Sequence, residues 1–89
     1  MRIEIFPLGP IDTNAYLVSN PETRAAVLID APFGAERTIG AQLEKEGLRL
    51  DAVLLTHGHW DHIGDAAKIA ELCKVPIVAG EGPRGIIEA

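Results

Sequence analysis

Residues 56–65 read THGHWDHIGD and contain every histidine of the chain, His57, His59 and His62, with Asp61 among them. Imidazole nitrogens and a carboxylate form a ligand set for zinc, and one that also suits iron or manganese. His57 and His59 lie two residues apart, so in an extended segment both side chains point to the same side. Asp61 continues that spacing and His62 follows it. A lone histidine here would read as part of a polar, solvated loop. Three histidines and an aspartate at this spacing, between an apolar strand and a helix, read as a metal site. Gly58 and Gly64 read as permitting the tight backbone path that such a segment needs.

A ligand cluster must sit on rigid elements. Asp51–Thr56 (DAVLLT) leads into the motif as an apolar strand, and Gly64–Lys74 leaves it as a helix. In that helix Ala66, Ile69, Ala70 and Cys73 are expected inward, with Lys68 and Glu71 outward, and Pro76 stops it. Upstream, Arg2–Phe6 alternates polar and apolar residues and ends at Pro7, Gly9 and Pro10. Asn14–Ser19 and Ala25–Ile29 complete an expected meander, with Asn20-Pro21 as the turn signal between them. Gly34–Glu46 reads as a helix with Ala35, Ile39 and Leu43 on one stripe. Gly47 reads as its left-handed C-cap, with Leu48 folding back. Gly40 is a misfit in that helix, costing about 1 kcal/mol relative to Ala. Ile77–Ala79 is a short last strand, and the tail EGPRGIIEA reads as the beginning of a further helix.

The resulting order is β-β-β-α-β-α-β, a mixed α/β domain over residues 1–89. AVLI and AVLL are apolar without alternation, which implies strands buried on both faces. Two helices can cover one face, and little of the chain is left for the other.

Composition narrows the function classes. The 89 residues hold 8 Lys plus Arg against 13 Asp plus Glu, a net charge of −5, with no basic run. Nucleic acid is a poor partner, because its binding requires phosphate neutralisation. Hydrophobic residues make up 47% of the chain, rich for a domain that would bury roughly 60–65% of its unfolded surface. That surplus implies apolar surface meant for another layer or chain. Cys73, the single cysteine, offers no disulfide and no cysteine-pair metal spacing, and reads as a small core residue. A reducing, cytoplasmic setting is expected, with no membrane span.

The motif HGHWDH, inside VLLTHGHWDHIGD, resembles the HxHxDH signature of the metallo-β-lactamase superfamily, and TNAYLV and AVLIDAP resemble that family's earlier strands. The likeness covers essentially the whole chain and is greatest to the hydroxyacylglutathione hydrolase (glyoxalase II) branch. It implies that His57 and His59 bind a first metal, and Asp61 and His62 a second. Zinc is the expected ion, one or two of them, with iron or manganese as alternatives. Asp61 would also orient the metal-bound water and so take the catalytic role. Asp30 resembles the buried aspartate that supports the motif loop; its simpler reading is a turn residue. Trp60 is either a pocket wall or a packing residue. Many relatives have glycine where this chain has Asp65, whose carboxylate is expected to favour the N-terminus of the helix that follows it. Flavodiiron relatives carry glutamate in place of His59, so the histidine points to a hydrolase.

The implied reaction is attack of metal-bound hydroxide on an ester or thioester, such as a glutathione thioester. The family site also needs two later histidines and a bridging aspartate, and no histidine follows His62. The resemblance therefore implies the N-terminal half of an αββα sandwich, inactive by itself. Such a half would act with a missing C-terminal half or as a homo-oligomer. The alternatives are a non-catalytic half-domain that binds metal or self-associates, and a nuclease of the same superfamily.

Overall fold

The structure is a computed structural model that describes residues 1–10, 13–56 and 64–79. Five strands and two helices follow one another as β1 (Arg2–Leu8), β2 (Thr13–Ser19), β3 (Ala25–Ile29), α1 (Ala35–Glu46), β4 (Arg49–Leu55), α2 (Ala66–Cys73) and β5 (Ile77–Ala79). They form a single sheet in the order β1-β2-β3-β4-β5. The first three strands are the expected antiparallel meander. After β3 each crossover helix returns the chain parallel to the strand before it, so β3, β4 and β5 run in one direction.

Pro7 lies inside β1 rather than ending it. This is tolerated because β1 is the sheet edge, where a missing N–H costs no ladder bond on the open side. Strand β4 begins at Arg49, two residues earlier than expected. Its register against β3 shifts between Ala26 and Val27, where the partner changes from Leu50 to Ala52 and Asp51 becomes the extra residue. That bulge turns both Leu50 and Val53 inward.

Side chains from alternate strand positions, among them Leu17, Leu28, Val53 and Leu55, join Ile39 of α1 and Ile69 of α2 in one core. Both helices contribute to this core, so they share one face of the sheet. The expected stripe on α1 is present, with Ala35 and Ile39 buried and Leu43 partly so. Gly47 adopts φ 64° and its N–H reaches the carbonyls of Leu43 and Glu44, while the Leu48 N–H bonds Leu43 at 2.9 Å. The Arg24 guanidinium donates to the Glu46 carbonyl at 2.8 Å. The C-terminus of α1 is thus satisfied by a glycine cap and a cation.

On α2, Ala66, Ile69 and Ala70 are buried as expected. Cys73 is a correction: it is exposed, as is its neighbour Leu72. Lys74, left-handed at φ 57°, closes the helix directly after Cys73. The short helix therefore ends before Cys73 reaches the core.

The opposite face carries two apolar rows defined by the register. Ile5, Tyr16, Ile29, Leu54 and Val78 form one, and Ile3, Val18, Val27 and Ala52 the other. None of these side chains is fully buried, and Ile3 and Ile5 are 63% and 58% exposed. The strands that read as apolar throughout therefore bury one set of side chains under the helices and present the other on the open face.

Candidate metal centre

The parallel strands β3 and β4 both end at the edge from which the histidine segment departs. Asp30 directly follows β3 and is 2% exposed. Its backbone takes φ 66°, a conformation in which aspartate is several-fold enriched among non-glycine residues. The Asp30 N–H still bonds the Leu54 carbonyl at 2.7 Å, extending the β3–β4 ladder. The carboxylate meets Thr56 at the end of β4. Oδ1 accepts the Thr56 N–H at 2.9 Å, and the Thr56 hydroxyl lies 2.9 Å from Oδ2 and 3.2 Å from Oδ1. Asp30 therefore holds the end of β4 at two points, Leu54 through its backbone N–H and Thr56, the residue before His57, through its carboxylate.

The other end of the segment is fastened to the next residue of the same turn. The Asp65 N–H donates to the Ala31 carbonyl at 2.8 Å. Asp65 is 5% exposed, and its Oδ2 accepts the N–H groups of Gly34 at 3.1 Å and Glu36 at 3.0 Å. The expectation for this carboxylate needs correction. It makes no cap bond to α2, the helix it precedes; it satisfies the N-terminus of α1, which begins at Ala35. Gly64 also has a reason other than backbone freedom: a Cβ there would fall 2.6–2.7 Å from three ring atoms of Phe33. A side chain at position 64 would require the Phe33 ring, 46% exposed, to move.

His57, His59, Trp60, Asp61 and His62 lie outside the described residues, as does Gly58. Among the described residues no group of three or more His, Cys, Asp or Glu side chains could hold a metal. The donors that the sequence offers lie in residues 57–62, between Thr56 and Gly64. This set of three imidazoles and a carboxylate fits a divalent transition metal. A groove of about 530 Å³, lined by residues including Gly40, Leu43, Leu48, Ile69, Leu72 and Cys73, lies toward the opposite end of the strands. It is lined mainly by apolar groups, with Glu36, whose N–H bonds Asp65, also on its wall.

A mixed sheet with its helices on one face and a histidine-rich segment at the ends of its parallel strands defines a class of metal-dependent fold. The chain belongs to the metallo-beta-lactamase superfamily, whose family model matches residues 8–86. It is 36% identical over 82 residues to a hydroxyacylglutathione hydrolase of Ruegeria pomeroyi, a match spanning 91% of this chain and 31% of that protein. Among solved structures it is similar to BLEG-1, a B3 metallo-beta-lactamase, with TM-score 0.78 and 39% identity over 85% of this chain and 35% of that one. It also resembles TTHA1623 in a di-iron-bound form, with TM-score 0.71 and 39% identity over 83% of this chain and 36% of the other. The chain thus spans about a third of the length of these relatives. The β-β-β-α-β-α-β architecture read from the sequence is part of the metallo-beta-lactamase fold.

Asp30 was singled out in the sequence by the family resemblance alone, and its bonds to Thr56 come from the fold. The cap made by Asp65 had no signal in the sequence, because the N–H groups it binds lie 29 and 31 residues away. Phe33 carried no signal at all.

Proposed function

We propose that this chain carries the first half of the metal centre of a hydrolase acting on a small-molecule ester or thioester. In this reading His57 and His59 hold one divalent ion and Asp61 and His62 a second, with zinc as the ion. Such an ion, when bound, supplies Lewis-acid polarisation of a carbonyl and a water acidic enough to act as nucleophile near neutral pH. The chain's own residues supply position. Asp61 orients the water, Asp30 holds the start of the ligand segment through Thr56, and Trp60 forms a wall of the substrate pocket. The remaining ligands come from outside these 89 residues.

The observation that carries this reading is the bracket. A turn of consecutive residues, Asp30 and Ala31, grips both ends of the segment that holds every histidine. A solvated loop has no need of a buried carboxylate at each end. The name of the Ruegeria relative supports a glutathione thioester as the substrate class. The net charge of −5 and the lack of a basic run disfavour the nuclease alternative.

The test is elemental analysis of the purified chain and of Asp61→Ala after dialysis against zinc, followed by a thioester hydrolysis assay. Stoichiometric zinc in the wild type and reduced zinc in the variant support the metal reading. Metal-free protein in both cases rejects it. A second reading, a half-domain that binds metal and pairs with another copy without catalysis, is favoured by the open apolar face of the sheet. It predicts bound zinc, self-association and no thioester hydrolysis.

A further inference from the structure

We propose that Asp65 is a positioning residue for the metal segment, tying its end to the N-terminus of α1 as Asp30 ties its start to β3; this rests on the metal reading above. A carboxylate immediately before a helix would ordinarily serve that helix. Asp65 instead has φ −111° and no cap bond to α2. Its backbone N–H and Oδ2 bond the turn after β3 and the first residues of α1. Its N–H bonds Ala31, and Oδ2 takes the N–H groups of Gly34 and Glu36. Without that acceptor, two N–H groups at the start of α1 would lose their partner. The Phe33 ring sits against Gly64 beside the same bonds and fills the space a side chain would need. Residues 30–36 thus act as one bracket for both ends of 57–63.

The two ends have different consequences. Asp30 fixes the residue next to His57, whereas Asp65 lies three residues after His62. Glycine at position 65 would keep the bond to Ala31 and lose both bonds to α1. Residue 65 would then be held to the turn after β3 by its N–H alone. A ligand set assembled from one short segment tolerates little movement, since groups beyond the ligands set their orientation and commonly change metal affinity 10- to 100-fold.

The experiment measures zinc affinity by chelator competition, the visible spectrum of the cobalt(II)-loaded chain, and the stability of the metal-free chain. Four variants are compared with the wild type: Asp65→Ala, Asp65→Asn, Glu36→Pro and Leu43→Ala. Asp65→Ala is expected to weaken zinc at least tenfold and to alter the cobalt spectrum. Asp65→Asn, which keeps an acceptor oxygen, should stay within about threefold of wild type. Glu36→Pro removes one of the N–H partners while leaving Asp65 in place, and proline is tolerated in the first turn of a helix. It should weaken zinc in the same direction, and it decides the matter if Asp65→Ala does not fold. Leu43→Ala destabilises α1 at a distance from the segment and should leave zinc affinity unchanged. Wild-type affinity in Asp65→Ala or in Glu36→Pro overturns the proposal while leaving the metal reading intact. An equal loss in Leu43→Ala overturns it too, by showing that general destabilisation suffices. Absence of zinc from the wild type defeats the metal reading and the proposal together.

Discussion

Asp30 combines three properties seldom found together: near-complete burial, positive φ and a carboxylate bonded to a backbone N–H. The burial and the positive φ are costly alone, and they are sustained because the carboxylate bonds Thr56. Asp30→Ala should destabilise the chain by about 1–3 kcal/mol, since it leaves the Thr56 groups without their acceptor. Asp30→Asn should cost less, because asparagine tolerates positive φ and keeps one acceptor. Urea denaturation of both variants checks the order; equal losses would contradict it. At Cys73, partial burial pushes the thiol above its ordinary range although the residue is largely exposed. Its alkylation by iodoacetamide should therefore still be accelerating at a pH where an unhindered cysteine has levelled off. A plateau at the ordinary position would refute that expectation.

Among the elements, α1 shows how local signals and tertiary demands divide a helix between them. Its end is locally specified: Gly47 takes the left-handed conformation that its place in the sequence implies. Its start is not, because Gly34 has no side chain to cap with and the acceptor comes from Asp65. Within the helix, Gly40 has no neighbour within 4 Å of an added Cβ among the described residues, so close packing does not explain it. Gly40→Ala should raise stability by about 0.5–1 kcal/mol through helix propensity and reduced unfolded-state freedom. Gly47→Ala should lower it by about 1 kcal/mol, because alanine is strained at φ 64°. Thermal unfolding of the two variants should move in opposite directions.

For the whole molecule, the decisive feature is the face opposite the helices. One apolar row runs across all five strands and the other across the first four, with Tyr16, Ile29 and Leu54 neighbours at the centre of the longer row. A contiguous apolar surface of this kind drives association unless another layer covers it. Sedimentation at micromolar concentration should show the 89-residue chain larger than a monomer. Ile29→Lys, which places a charge at the centre of that face, should restore the monomer without unfolding the core beneath the helices. A well-folded wild-type monomer under those conditions would count against the prediction.

The sequence by itself determined the order of the elements, the inward stripe of α1 and the glycine cap at Gly47. These depend on periodicity and φ preference, which are properties of neighbouring residues. It also foretold a sheet face that neither described helix covers, since strands apolar on both sides need two covers and the two described helices share one face. The tertiary structure decided what long-range pairing alone can decide. It placed Pro7 within an edge strand, bulged β4 at Asp51 and sent the Asp65 carboxylate to α1 instead of α2. In each case the partner is remote in sequence, and only folding brings the two within reach.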